Sequence, residues 1–345
     1  MFKYIFKRLL MMIPTLFGIT LLCFVVINLA PGGPIEQKLI AMRFSGGMGG
    51  GGSGGGGAAA GNYGVSDDVL AALKKQYGFD KPVHVRYGIW LKNIVTLDFG
   101  DSFSTEEPVT EVLASKFPVS LQFGLVSLFL TYLICIPLGI AKAVRDGSRF
   151  DMVSSVLLMV MYSIPPLILG ILLRVYLAGG QWSNWFPLGD LYSDNYFDLT
   201  TWEKIKDRTH HFILPLTCYV IGNFTVIAFL MKNSLLEEIK LDYVRTARAK
   251  GLDEKAVIYK HALRNALIPI ATGLGSFLAV FFAGSILIEQ IFNLDGMGLL
   301  GYKAALSRDY NVLMALIFFQ ALLALVGRLI SDITYVLIDP RIDFS

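Results

Sequence analysis

The chain has 345 residues, 54% hydrophobic and 17% charged, with a formal net charge of +3 at pH 7. Its apolar residues gather into runs long enough to cross a bilayer, which takes about 20 residues of helix, so a soluble globular protein is excluded and an integral membrane protein is expected. The net charge is too small to point to a partner and nothing calls for a nucleic acid, while the three cysteines, Cys23, Cys135 and Cys218, all fall inside apolar runs and predict neither a disulfide framework nor a metal cluster.

Lys3, Lys7 and Arg8 precede an apolar run from about Leu9 to Ala30 that resembles the start of a signal peptide. The run is longer than a signal core, and no small-x-small site follows it near Asn28-Leu29-Ala30, so an uncleaved first span with a cytoplasmic N-terminus is expected, ended by Pro31-Gly32-Gly33-Pro34. Residues 1–34 form this first element.

Residues 35–116 are polar enough to lie outside the membrane, on the periplasmic side. Their middle, Gly46 to Gly61, is nearly all glycine and reads as a mobile tether, because side chains this small cannot offset the entropy of ordering. A phosphate-cradling loop would need a following Gly-Lys-Ser/Thr, which is missing. Ser66 is a good cap for an amphipathic helix through Tyr77, and Pro82 opens another in which Val83, Tyr87, Trp90, Leu91 and Ile94 share one side. Both helices are expected on the outer membrane surface or against the spans, with Tyr87 and Trp90 suited to the interface.

Residues 117–345 carry five more spans, at about 119–141, 152–178, 212–231, 267–292 and 312–338. The third of the six spans contains Pro165-Pro166, which predicts a kink facing other helices or a cavity. An outer loop, Gln181 to Asp207, is rich in aromatic and acidic residues. Six spans with the N-terminus inside put both termini in the cytoplasm, together with the basic clusters at 142–149 and 245–264, in keeping with the positive-inside rule. The predicted fold is therefore an all-α integral membrane protein in the bacterial cytoplasmic membrane, in contact with membrane lipid.

Ionisable groups inside spans cost roughly 2.5 to 3.5 kcal/mol on insertion scales, so each asks for a reason. Arg174 and Glu289 lie near span ends and read as snorkelling to the headgroups. Arg328 and Asp332, four apart, read as a pair on one helix face. Gln122, Thr131, Asn223 and Thr225 lie nearer mid-span and are candidates for a translocation path, with interhelical hydrogen bonding as an equally good reading. His210 and His211 are adjacent and should point in different directions, a poor start for a metal site. Neither an enzyme signature nor a Walker-type nucleotide loop is present, so any ATP that drives this chain is bound by another polypeptide.

Between the fourth and fifth spans lies the one strongly basic interval of this half, Asp242 to Pro269. Residues 242–250 favour a short helix with Arg245 and Arg248 one turn apart, stopped at Gly251, a residue suited to a left-handed cap. Asp253 can cap a second helix whose apolar side is Ala256, Tyr259, Leu263 and Leu267. A helix-turn-helix elbow over 242–265 is expected. The alternative on spacing alone is a solvated basic loop.

This elbow, Tyr243-Val244-Arg245-Thr246-Ala247-Arg248-Ala249-Lys250-Gly251 with His261-Ala262-Leu263-Arg264-Asn265-Ala266-Leu267, resembles the cytoplasmic loop of permease subunits of bacterial ABC importers for dipeptides and oligopeptides. Arg245-Thr246-Ala247 stands where the broader importer signature has Glu-Ala-Ala, Gly251 is kept, and His261 to Arg264 replace Ile-x-Leu-Pro, departures that look typical of the peptide branch. Asp98-Phe99-Gly100-Asp101-Ser102, Gly147-Ser148-Arg149-Phe150-Asp151, Ser307-Arg308-Asp309-Tyr310 and Asp339 to Phe344 are similar to the Yej-type permeases of microcin C and oligopeptide importers. The resemblance implies a second, homologous permease subunit and two ATPase subunits or one fused tandem ATPase. It also implies a periplasmic peptide-binding protein, with ATP and Mg held by the ATPase and no cofactor on this chain. It further implies that the first helix of the elbow is a coupling helix, with Tyr243, Arg245, Thr246, Ala247, Arg248, Ala249, Gly251 and Leu252 as ATPase-coupling residues, small Ala247 and Gly251 allowing close approach. An ion-coupled secondary transporter is the alternative; it predicts inverted repeats and a midplane ion site.

Overall fold

The computed structural model describes residues 2–29, 81–179, 182–273 and 284–338. The glycine tether, the helix expected over 66–77, the C-terminal motif and part of the expected fifth span lie outside these residues. Among the described residues no β-strand occurs beyond an isolated bridge between Asp101 and Pro108. The helices in chain order are α1 (Phe2–Leu29), α2 (Val83–Val95), α3 (Val109–Val144), α4 (Arg149–Ser163), α5 (Pro166–Leu173) and α6 (Thr201–Ile239). Then come α7 (Asp242–Ala249), α8 (Glu254–Ala256), α9 (Leu263–Ala266), α10 (Ile286–Ile291), α11 (Met297–Leu306) and α12 (Tyr310–Ile338). Wider π-helical turns extend α5 over Arg174–Ala178 and join α8 to α9 over Val257–Ala262.

Among the described residues four helices are long and apolar enough to cross a membrane: Tyr4–Val26 within α1, all of α3, all of α6, and Tyr310–Thr334 within α12. A fifth crossing is added if α4 and the α5 segment form one span. These two are bent by 89°, so the expected kink is a full break. The cause is local. Ile164 and Pro165 each precede a proline, which pushes them out of the helical region, and their ψ angles are 112° and 138°. With 39 residues, α6 is about 58 Å long, well beyond a hydrocarbon core of about 30 Å, so it reaches outside the membrane.

The chain divides into two compact units. The first comprises residues 1–12, 116–300 and 319–345. In it α3 and α6 approach so closely at Gly139 that an added Cβ would lie 2.5 Å from Met231 Cβ and 2.8 Å from the Ala228 carbonyl oxygen. Glycine is the residue that permits this backbone contact. Phe123 stacks on Phe212 and Tyr219, and around them Leu214, Cys218, Ile288, Phe292 and Leu294 complete one apolar cluster.

Two expectations about charge are corrected in this unit. Glu289 does not snorkel: it is 1% exposed, and its carboxylate accepts from Ser120 Oγ at 3.0 Å and from the backbone N–H groups of Ser285 and Leu299 at 3.1 and 2.7 Å. A carboxylate at the start of α11 meets free N–H groups, which stabilises the charge where sequence offers no hint of a partner. Gly284 at φ +62° and Gly296 leave room for it, since a Cβ on either would come within 2.6 Å of the carboxylate. Arg174 likewise turns inward and donates to the Ile291 carbonyl at the end of α10. Asp332 pairs with Arg8 at 3.0 Å rather than with Arg328.

The second unit comprises residues 13–115 and 301–318. Tyr87 and Trp90 of α2 pack on α1, the second of the two placements expected for this helix: Tyr87 is buried, stacks with Trp90, contacts Phe24, and exchanges a 3.1 Å hydrogen bond with Thr20. The buried Asp309 accepts from Ser102 Oγ at 2.5 Å and from Ser104 N at 3.2 Å, and Asn311 donates to the Asp101 carbonyl at 2.8 Å. Two short sequence motifs some two hundred residues apart thus close on each other.

Candidate functional site

The elbow forms as a short helix, a tight stop and a second helical stretch. α7 ends where Gly251 takes a φ of +77°, the left-handed conformation its sequence position suggests, and its N–H donates to the Arg248 carbonyl at 2.9 Å. Asp253 precedes α8, but its side chain makes no capping bond.

What seats the elbow is apolar. Val244 and Ala247 of α7 are buried against Val257, Ile258, Ala262 and Ala266, and the same cluster includes Ile140 and Ala143 of α3 and Met231 and Leu235 of α6. Burying a valine or isoleucine stabilises by about 1.5 to 3 kcal/mol, so these contacts outweigh the surface ion pairs nearby. The buried series in the second stretch is Ile258, Ala262, Ala266 and Ile270. Sequence pointed instead to Ala256, Tyr259, Leu263 and Leu267. Tyr259 is 57% exposed, and Leu263 and Leu267 flank the cluster. The π-helical turn widens the spiral, so residues four apart align where an α-helix would alternate three and four.

The expected coupling residues therefore divide. Ala247 faces inward, 7% exposed, and its smallness serves the fit of α7 onto α3 and α6. Arg245, Thr246, Arg248, Ala249, Gly251 and Leu252 are exposed, and nothing lies within 4 Å of where a Gly251 Cβ would be. Arg248 makes a two-point contact with Glu254, Nε to Oε2 at 3.1 Å and Nη2 to Oε1 at 2.7 Å. This hydrogen bonding raises the Arg248 pKa and holds the Glu254 carboxyl below its ordinary range. Tyr243 donates to Glu238 and accepts from Asn265 at 3.1 Å; desolvation, then the neighbouring Glu238 carboxylate, push its hydroxyl up to about 12. Thr246 Oγ1 donates to the Asp242 carbonyl at 2.8 Å, and Arg245 lies 3.5 Å from Asp242.

The four path candidates differ in burial and partners. Thr225 is buried and donates to the Leu158 carbonyl at 2.7 Å, and Thr131 is buried in α3. Gln122 accepts from Arg208 at 2.5 Å, and Asn223 is exposed with a 3.4 Å bond to the Tyr219 carbonyl. The adjacent histidines do diverge: His210 meets the Trp185 carbonyl, and His211 the Asp207 carbonyl at 2.9 Å.

Sequence reading missed an ionic network beside the elbow's seat. Lys142, one of the basic residues attributed to the positive-inside rule, is fully buried, and its amine donates to the Asp151 carbonyl at 3.0 Å, Ser154 Oγ at 2.9 Å and Ser155 Oγ at 2.6 Å. Lys232 bridges Asp146 at 2.8 Å and Asp151 at 2.7 Å. The signal that points to it is Ser148-x-x-Asp151, a helix-start pattern, next to a glycine that adopts φ +72° at 147.

Apolar helices long enough to cross a membrane, with an amphipathic elbow packed on two of them, define a polytopic membrane protein. Residues 135–344 match the model for the binding-protein-dependent transport system inner membrane component, and the chain belongs to that family. It is 44% identical, over 99% of its length and 98% of the relative's, to the peptidoglycan transport system permease protein YejB of Agrobacterium fabrum. It is 42% identical to the inner membrane ABC transporter permease protein YejB of Escherichia coli O157:H7, with 99% of each chain covered. To the oligopeptide transport system permease protein AppB of Bacillus subtilis it is 35% identical over the full length of both. The chain is thus a transport component of the inner membrane.

Proposed function

We propose that this chain is the permease subunit of an ATP-driven importer that carries peptides, oligopeptides or microcin C-like peptides, across the bacterial cytoplasmic membrane by alternating access. The observation that carries the reading is the elbow: a short helix anchored by apolar residues on α3 and α6, with a polar face left exposed. Such an element passes a push from a docked ATPase directly to two spans, which is what a two-state membrane part biased by ATP requires. In this reading six spans place both termini and the elbow in the cytoplasm. A second, homologous permease completes the pathway, two ATPase subunits or a fused tandem ATPase bind ATP and Mg, and a periplasmic protein delivers the peptide.

Tyr243, Arg245, Thr246, Arg248, Ala249 and Leu252 form the docking face, the arginines meeting carboxylates or carbonyls of the ATPase. Gln122 and Asn223 are better placed than the buried Thr131 and Thr225 to meet a peptide. The secondary-transporter alternative gains no observation. Reconstitution of the chain with its partner subunits in proteoliposomes, followed by uptake of labelled peptides of graded length, tests the proposal. Uptake that needs ATP and survives collapse of ion gradients is the expected result; uptake driven by an ion gradient without ATP would overturn it. The purified chain alone is expected to hydrolyse no ATP.

A further inference from the structure

The network around Asp151 lies where the elbow's apolar seat ends. Lys142 stands between Ile140 and Ala143 on α3, and Lys232 follows Met231 on α6; all three of those neighbours belong to the seat. Asp151 occupies the first turn of α4, where Ser148 caps the helix by accepting from the Asp151 N–H at 3.2 Å. Its carboxylate is therefore free to reach sideways. Oδ2 accepts from Lys232 at 2.7 Å and from Gly147 N at 3.3 Å, while Oδ1 lies 3.1 Å from Lys142 Nζ. The last contact is an ion pair rather than a directed hydrogen bond, because the amine's protons point to the Asp151 carbonyl and to Ser154 and Ser155. Phe229 of α6 covers the Lys142 amine at 5.1 Å from its ring centre.

One carboxylate thus ties three helices together, and the two cations it holds come from the two helices that carry the elbow. We propose that Asp151 is a positioning residue that locks α3, α4 and α6 into one rigid seat, so that displacement of the elbow moves the broken α4–α5 pair with it. Apolar contacts alone allow the helices to slide; an ion network of fixed geometry resists sliding, since a shift of α3 would part the fully buried Lys142 amine from the Asp151 carboxylate. The inference rests on the importer reading above and adds to it the route by which the push spreads beyond the elbow.

The test uses the complete importer in proteoliposomes, measuring ATP hydrolysed per labelled peptide moved. For Asp151→Asn, and for Lys232→Gln, which leaves the Lys142–Asp151 pair intact, the assembled complex is expected to hydrolyse ATP while the ratio of ATP to peptide rises about tenfold, the size of a typical coupling between sites. A purely structural role would lower the yield of complex and leave the ratio per complex unchanged, and that result with Lys232→Gln would overturn the proposal even if Asp151→Asn fails to assemble. Absence of ATP-dependent uptake by the wild-type complex would instead sink the importer reading itself.

Discussion

Gly251 illustrates how little its immediate surroundings decide. A Cβ there meets open space, yet φ is +77°, where an L side chain costs roughly 1 to 2 kcal/mol. Gly251→Val is expected to loosen the end of α7 and weaken ATPase binding, whereas Gly251→Asn, which tolerates this conformation, should retain most of it; equal binding by the two variants, measured by co-purification of the ATPase, would show that the conformation is not what counts. The nearby Arg248–Glu254 pair is exposed, so its worth is small, but its sign with pH is defined. The depressed Glu254 carboxyl contributes stability above the ordinary glutamate range, and that contribution is lost as pH falls through the lowered value. Hydrogen exchange at the end of α7, corrected for intrinsic rates, should quicken in acid in the wild type and show no such step in Glu254→Gln.

The elbow as an element depends on contacts from outside it. Val244→Ala removes a fully buried side chain from the seat and should cost roughly 2 kcal/mol, at the low end for core truncations, read as a lower midpoint of thermal unfolding in detergent. Gly139→Ala should cost about 1 to 3 kcal/mol by overpacking, because one of the atoms it meets is a backbone carbonyl that cannot swing away. The stop at Gly251 and the existence of α7 are legible in sequence because both follow from local preferences. The buried face of the second stretch is not, because a single π-helical turn changes which residues align. Glu289 was misread for a different reason: its side-chain partner Ser120 is 169 residues away in the chain, and its nearer partners, Ser285 and Leu299, offer backbone N–H groups that residue identity does not announce. At Pro165-Pro166 the sequence signalled a disturbance, and only the geometry showed a bend of 89°.

For the whole molecule, the pattern of apolar runs made the class plain, and four of the six expected spans coincide with long apolar helices. The proposed topology makes a sidedness prediction. A cysteine placed at Thr246 in an otherwise cysteine-free chain should react with an impermeant maleimide only from the cytoplasmic face, and labelling from outside would invert the arrangement. Substrate choice is not legible at this scale, since the pathway is shared with a second subunit and the peptide is delivered by a third protein in the proposed assembly.

The buried Lys142 also bears on how the chain is made. A lysine amine stripped of water is costly until its partners arrive, and Asp151, Ser154 and Ser155 follow within thirteen residues, so the charge is covered almost as soon as α4 is synthesised. Lys232 arrives 81 residues after Asp151, which at ordinary translation rates is a delay of about 4 to 16 s. In chain order, therefore, the α3–α4 hairpin carries its own counter-charge before α6 is made, and Lys232 of α6 comes later to the Asp151 oxygen that Lys142 does not hold.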